Sequence, residues 1–136
     1  MTGQPLLDRA TATLNGDVIL PKGTHARVAA WYARAALEQL TCRLLDNELS
    51  SDPEQMTMAS RLACLRVLRP VVGKEASHAW WALSRVCHQH AFELTPTTNE
   101  VAHLVDQVSR LLSAGQRLGE PSDQPQHIRS GQKGSE

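Results

Sequence analysis

The sequence predicts an all-α protein: an antiparallel bundle of four to five helices, followed by a disordered C-terminal tail. Apolar residues recur at steps of three and four through most of the chain, which is the period of an amphipathic helix. No segment alternates apolar and polar residues over a useful length, so the pattern holds no signal for a half-buried strand. Prolines, glycines and capping residues divide the apolar segments into units joined by short loops, as in helical bundles.

The chain has the length of one domain, and its composition changes near its C-terminal end. With 136 residues it is long enough for one hydrophobic core, and we assign residues 1–114 to the bundle. In residues 115–136, Gly, Pro, Ser and Gln dominate, and only Leu118 and Ile128 are aliphatic. Such a segment cannot bury enough apolar surface to offset the entropy lost on ordering, so we expect a disordered tail.

The first two helices are predicted from their apolar periodicity and from the residues that end them. The first covers about residues 5–15 and ends at Asn15-Gly16, a common stop signal. Residues 18–21 (Val-Ile-Leu-Pro) form an apolar connector that we expect to pack against the bundle. The second helix is predicted over about residues 24–49, which makes it the longest element.

The second predicted helix carries apolar residues on two sides. A helix with this pattern is usually buried on two sides, so it either lies at the centre of its own bundle or also faces a second subunit. Arg34 and Glu38, on the polar wedge between the stripes, are spaced to form an i,i+4 ion pair. One stripe comprises Ala33, Leu37, Leu40 and Leu44, and the other comprises Trp31, Ala35, Cys42 and Leu49.

The third helix is predicted from residue 51 to about residue 68. Residues 51–54 (Ser-Asp-Pro-Glu) place a capping side chain before a proline, which is typical of the first turn of a helix. Pro70 and Gly73 mark the next joint, because proline and glycine are the strongest breakers of a helical pattern. The side chains predicted to point inward are Met58, Leu62 and Leu65.

Two further helices complete the predicted bundle. The fourth spans about residues 74–92 and must end before Pro96, because the residue preceding a proline avoids the helical region. Thr97 and Glu100 then have the spacing of a capping box, in which each side chain bonds to the backbone N–H of the other residue. The fifth helix follows to about residue 113.

The net charge and the cysteines limit the classes of partner and of site that the sequence predicts. Fourteen basic and fourteen acidic side chains balance at neutral pH, so no strong overall field draws the protein onto nucleic acid or membrane. Cys42, Cys64 and Cys87 are not spaced as a zinc ribbon or a redox pair, and we expect buried free thiols. With no signal peptide and no apolar run long enough for a membrane span, the sequence predicts a cytoplasmic protein.

The fourth predicted helix has two faces of different character. One face is apolar. The other carries imidazoles, a guanidinium and large aromatic rings, where an ordinary solvated face would carry Glu, Lys and Gln. This mixture indicates a surface that meets either a second protein or a phosphate-bearing ligand. The apolar face comprises Ala76, Ala79, Leu83, Val86 and Cys87, and the other face comprises Lys74, His78, Trp81, Arg85, His88 and Phe92.

Arg85 and His90 stand in the arrangement Arg-Val-Cys-His-Gln-His, an arginine with four residues before a histidine. In a short all-α chain with a long helix before it, this arrangement resembles the HEPN superfamily (higher eukaryotes and prokaryotes nucleotide-binding). The chain looks most similar to the small, single-domain bacterial members. Residues 80–97 carry most of the likeness, and the helix order over about residues 5–114 fits as well.

The resemblance implies a two-fold homodimer that cuts RNA without a metal ion or another cofactor. In the active members, the arginine and histidine of both subunits meet across the interface, and the 2′-hydroxyl attacks the neighbouring phosphate. Carried over here, Arg85 would polarise the scissile phosphate and His90 would act as general base or acid. Such proteins are toxins, phage-defence nucleases or RNA-processing factors, and an antitoxin is then an expected partner. Other members are catalytically silent modules that bind a partner protein or nucleotide.

His88 is an alternative working histidine. Residues five apart on a straight helix point about 140° from each other, so Arg85 and His90 face different sides unless the helix unwinds near Cys87. His88 follows Arg85 by three residues and lies on the same side without distortion. Val86 stands where the family often has a polar residue, which keeps the catalytically silent alternative open.

Other residues of this helix are assigned to contacts rather than to chemistry. We assign His78, Trp81 and Ser84 to the substrate or to the subunit interface. A Trp on such a face can pack in an interface or stack on a base. We expect no metal site at Cys87, His88 and His90, because structural zinc needs four converging ligands and adjacent helical side chains diverge.

Overall fold

The structure, a computed structural model, describes residues 3–88 and 97–119. Within these ranges the chain forms helices and loops and contains no strand, so the predicted all-α fold is confirmed. No helix in these ranges is both long and apolar enough to cross a membrane. The helices are α1 (Gln4–Leu14), α2 (His25–Leu45), α3 (Met58–Leu68), α4 (Pro70–Cys87) and α5 (Thr98–Gly119), with a short 3₁₀ turn at Pro53–Gln55.

Helix α2 lies at the centre of the bundle and contacts the other four helices. Its direction is opposite to that of α4, because Arg34 lies over Trp80 while Glu48, just after α2, pairs with Arg69, just before α4. The face of α2 toward its neighbours is rich in small residues, which lets the helices approach closely. Its fully or almost fully buried alanines are Ala26, Ala29, Ala30, Ala33 and Ala36.

Only one of the two apolar stripes predicted on α2 is covered within the protomer. The first stripe is buried in the core with leucines from α3, α4 and α5. In the second stripe, the indole of Trp31 is 52% exposed, and Cys42 and Leu49 are half-buried. The helix is central in its bundle, as the first alternative predicted, but the bundle covers this second stripe only in part. The other alternative, a second subunit over the open stripe, stays a prediction.

Most of the connector between α1 and α2 does not pack against the bundle. The side chains of Val18 and Ile19 are exposed, the latter fully, and only Leu20 is half-buried, so the predicted packing is wrong for most of the connector. Gly16 and Gly23, with φ values of 80° and 85°, reverse the chain on either side of the connector and carry it outward as a loop. A ring nitrogen of His25 lies 3.2 Å from the carbonyl oxygen of Val18.

The predicted start of the third helix is a separate 3₁₀ turn. The carboxylate of Asp52 accepts the backbone N–H of Glu54, as a cap should, but the chain then leaves the helical conformation. Helix α3 begins at Met58, where the Thr57 hydroxyl accepts the N–H of Ser60 at 3.1 Å. The turn is held against α3 by the buried side chain of Arg61, whose Nε donates to the carbonyl of residue 53 at 2.8 Å.

Helices α3 and α4 are joined by one residue, Arg69, rather than by a joint from Pro70 to Gly73. Pro70 is the first residue of α4, where its missing N–H costs nothing. Gly73 is buried inside α4, and a Cβ built there would lie 2.5 Å from the backbone nitrogen of Arg66. The glycine therefore marks a close helix crossing instead of a helix end.

The fourth and fifth helices also differ in length from the prediction. Helix α4 starts four residues earlier than predicted and ends at Cys87, and predicted helical residues 89–92 lie outside the described ranges. The capping box of α5 is confirmed: the Thr97 N–H donates to Glu100 at 3.2 Å, and the Glu100 N–H donates to the Thr97 hydroxyl at 3.0 Å.

Helix α5 continues to Gly119, past the boundary predicted at residue 114. Its last turns are kept against the bundle by buried Leu111 and Leu112, and by a glycine at position 115 that lets α5 pack closely on Leu40 of α2. The start of the predicted tail is thus helical. The rest of that tail, from residue 120, lies outside the described residues.

Candidate functional site

The exposed face of α4 presents the unusual mixture of side chains found in the sequence. Its opposite face is buried in the core through Ala76, Ala79, Trp80 and Leu83. The indole of Trp81 is 59% exposed although it follows a buried tryptophan. The stripe of exposed side chains, called the α4 face below, comprises Lys74, His78, Trp81, Arg85 and His88.

Arg85 and His88 lie together at the C-terminal end of the α4 face. Arg85 is in the last turn of α4, and His88 is the residue that caps it, with its backbone N–H donating to the Ser84 carbonyl at 3.0 Å. Both side chains are exposed and three residues apart, so they project from the same side of the helix. His90 lies outside the described residues.

Ser84 does not share this exposed surface. Its side chain lies about 60° around α4 from Trp81, on the side of the helix toward Trp80, and is only 8% exposed. Its hydroxyl oxygen has no hydrogen-bond partner in the described part of the chain. The structure thus places four of the predicted residues, His78, Trp81, Arg85 and His88, on one open face, and places Ser84 under it.

A second group of polar side chains lies between α2 and α4. The guanidinium of Arg34 stacks over the ring of Trp80, with 4.3 Å between the guanidinium carbon and the ring centroid. Arg34 also interacts electrostatically with the thiol of Cys87, two turns further along α4. The Nε of Arg34 is buried without a partner among the described residues. Trp80, Ser84 and Cys87 therefore line the side of α4 that Arg34 covers.

Burial raises the pKa of the Cys87 thiol above its ordinary value of 9.0, and this effect exceeds the opposing pull of Arg34 and Arg27. The thiol is therefore protonated at neutral pH, which argues against a nucleophilic role. Arg27 also lowers the pKa of this thiol through its charge. It lies two turns before Arg34 on α2, which runs antiparallel to α4. Sequence analysis missed this cluster, since only the spacing of residues 80, 84 and 87 on one helix face hinted at it.

A separate cleft of about 690 Å³ opens between α2, the 3₁₀ turn and α3. Burial raises the pKa of Cys42 in this cleft, partly opposed by Arg61 and reinforced by nearby carboxylates. The cleft carries charges of both signs and lies away from Arg85 and His88. Its charged lining residues are Glu38, Arg43, Asp46, Glu54 and Arg61.

Among residues 3–88 and 97–119, no three His, Cys, Asp or Glu side chains are grouped as metal ligands. No protein family, no curated protein and no solved structure matches the chain.

Proposed function

We propose that the protein is a HEPN-like, metal-independent endoribonuclease that acts as a cytoplasmic homodimer. The observation that carries this proposal is the open placement of Arg85 and His88 on one side of the end of α4, where neither is tied to a carboxylate by a described ion pair. Groups that are exposed and free of carboxylate partners are able to meet a phosphate and to exchange protons with it.

The chemistry needs a donor for the phosphate and two sites for protons. The 2′ oxygen forms a bond to phosphorus while the bond from phosphorus to the 5′ oxygen breaks. One imidazole takes the proton of the 2′-hydroxyl, and a second, protonated imidazole gives a proton to the leaving 5′ oxygen. The products are a 2′,3′-cyclic phosphate and a 5′-hydroxyl. Arg85 stabilises the charge that develops on the phosphoryl oxygens.

The proposed homodimer supplies the second imidazole. One α4 face offers one Arg85 at its C-terminal end, and a two-fold axis near that end would bring two copies of Arg85 and of the working histidine into one cleft. His90 is the working histidine that the resemblance implies, and His88 is the one whose exposure beside Arg85 is described. His78 and Trp81 continue the same face and are assigned to the interface or to the RNA.

The direct test is cleavage of RNA by the purified full chain in the presence of a chelator. Arg85→Ala should lower the cleavage rate by about 10²–10⁴-fold, because it removes the phosphate donor. His90→Ala and His88→Ala, tested separately, identify the working histidine by a loss of similar size. Product ends should carry 2′,3′-cyclic phosphate.

His103→Ala is the matched control, because His103 is an exposed histidine on α5 and is not part of the α4 face. The control should cleave RNA at the wild-type rate. If wild-type protein leaves a broad set of RNAs intact, or if Arg85→Ala cleaves as fast as wild type, the enzyme proposal is wrong.

A second candidate function is a catalytically silent module that binds a partner protein, such as an antitoxin, or a nucleotide. The observation in its favour is Val86, the residue after Arg85, which is half-buried and packs against the core instead of offering a polar group. In that case wild-type protein should not cleave RNA, and Arg85→Ala should change binding alone. Growth arrest on overexpression, relieved by Arg85→Ala, would instead favour the toxin form of the enzyme.

A further inference from the structure

We propose that α2 carries a subsite for single-stranded RNA, in which a base stacks on Trp31 and the flanking phosphates are held by Arg27 and Arg34. The inference deepens the proposed function and rests on it for the choice of RNA as ligand. It assigns a second contact region next to the Arg85 end of α4, on residues to which sequence analysis gave no such role.

The three residues share one side of α2. Arg27, Trp31 and Arg34 follow each other at steps of four and three, so they lie within about 60° of one another around the helix axis. Trp31 is 52% exposed, and both arginines are half-buried. A large exposed indole between two cations is the combination that single-stranded nucleic acid sites use, because each base offers a π-face beside a phosphate.

Arg34 is held in place without a counter-charge. Trp80 lies beneath its guanidinium, with 4.3 Å between the guanidinium carbon and the ring centroid, so this stacking contact holds the guanidinium before any ligand arrives. The ion pairs of the described residues, Arg69 with Glu48 and Arg110 with Asp106, leave it out. Because no carboxylate neutralises this half-buried cation, an anion that reaches the exposed part of its side chain stabilises it.

Arg27 extends this charge toward the end of α4. Its effect on the Cys87 thiol places it near the last turn of α4, the turn that also carries Arg85. Since α2 and α4 are antiparallel neighbours, Arg27 lies level with the last turn of α4, and Arg34 lies two turns away from it, level with Trp80. The exposed carboxylate of Glu38, one turn beyond Arg34, bounds the basic surface on the other side. Arg85 points about 140° away from Trp80 around the axis of α4, so a strand that contacts both Arg85 and the α2 subsite passes around the last turns of α4.

The test separates binding from cleavage by using 2′-O-methyl RNA of about ten nucleotides, which fills a single-strand site and cannot be cut. Binding is measured by fluorescence anisotropy of a label on the RNA. Trp31→Ala should raise Kd by about tenfold through loss of stacking, while Trp31→Phe, which keeps an aromatic ring, should recover most of the affinity. The quenching of tryptophan fluorescence on binding should be smaller in Trp31→Phe than in wild type.

The arginines are tested by salt dependence. Arg27→Ala, and Arg34→Met, which keeps an apolar stem over Trp80, should each lower the slope of log Kd against log salt by about 0.7, the value for one phosphate contact to a single strand. Arg110→Ala is the matched control, because Arg110 is exposed on α5 and already paired with Asp106. This control should bind like wild type.

Several results would overturn the subsite, and they differ from those that test the ribonuclease. The subsite proposal is wrong if Trp31→Ala binds the RNA as tightly as wild type, or if both arginine variants keep the wild-type salt slope. Neither result bears on cleavage by Arg85. The subsite proposal is also wrong if wild type sediments as a dimer and Trp31→Ala sediments as a monomer, since a second copy of the chain then covers Trp31. If wild-type protein does not bind the RNA at low salt, the subsite proposal is also wrong. If it binds the RNA but does not cleave a cleavable RNA, only the ribonuclease proposal is wrong.

Discussion

Arg34 shows how tertiary contacts decide the fate of a single side chain. The i,i+4 spacing predicted an ion pair with Glu38, but the guanidinium lies over Trp80. An exposed i,i+4 pair contributes only about 0.3–0.5 kcal/mol, whereas a partly desolvated cation–π contact reaches about 2 kcal/mol. The stacking partner is far away in sequence, so no local pattern could predict it.

The two thiols with raised pKa values should make stability fall in alkaline solution. Because the folded state binds these protons more tightly than the unfolded state, the contribution of each thiol is complete below about pH 9 and is lost as the pH rises through the folded pKa. Cys87→Ala should reduce the fall in the free energy of unfolding between about pH 8 and about pH 10, as measured by urea denaturation.

Cys42→Ala should act in the same direction, since burial is the main cause at both sites. Cys64→Ala, on α3, controls for the loss of a thiol from the bundle. An unchanged alkaline slope in the double substitution of Cys42 and Cys87 would show that other groups control stability in this range.

At the scale of the single helix, capping residues and apolar periodicity correctly predicted the features that depend on neighbouring residues in sequence. The capping box at Thr97 and the apolar face of α4 depend on residues within one or two turns, and both occur as predicted. The 3₁₀ turn before α3 and the course of α4 through Gly73 depend on contacts between elements. Arg61 holds the turn, and Arg66 lies against the glycine, so the sequence pattern alone was misleading at both points.

Gly73→Ala should destabilise the protein by about 1–3 kcal/mol, because the new methyl group meets the backbone of α3 and the helices must separate. Gly115→Ala is the matched control: it also places a methyl group in a helix, but the nearest atom is the end of the Leu40 side chain, which can move. Both substitutions increase helix propensity, so the difference between the free energies of unfolding of the two variants measures the clash at Gly73. Equal midpoints in urea unfolding would contradict the close crossing.

At the scale of the whole molecule, the described bundle leaves two indoles exposed, Trp81 on the α4 face and Trp31 on α2. We expect Trp81→Glu to raise the dissociation constant of the proposed homodimer by about tenfold or more, since it replaces an apolar ring on the proposed interface with a charge. Sedimentation velocity at several concentrations measures this change.

Ile19→Glu is the control for that substitution, because Ile19 is a fully exposed apolar residue in the loop between α1 and α2. It should leave the oligomeric state unchanged. A wild-type protein that sediments as a monomer at all concentrations, or a Trp81→Glu variant that dimerises as wild type does, would exclude the dimer built on the α4 face.

The sequence predicted the fold class and the two faces of α4, since both follow from apolar periodicity. It did not predict which other surfaces stay open, because that depends on how neighbouring helices cover each residue. Ser84 and Trp31 illustrate the point: the first is buried where contact with a ligand was expected, and the second is exposed where packing was an alternative. The roles of Arg85, His88 and His90 depend on a resemblance and stay a prediction.

The outward loop between α1 and α2 has a practical consequence for work on this protein. The side chain of Ile19 at its tip is fully exposed, and glycines with positive φ stand on both sides of the apolar segment. Loops of this kind accept foreign peptide with little cost to the fold. An epitope or a fluorescent reporter can therefore be spliced in beside Ile19, leaving α4 and α2 free for the measurements they are meant to report.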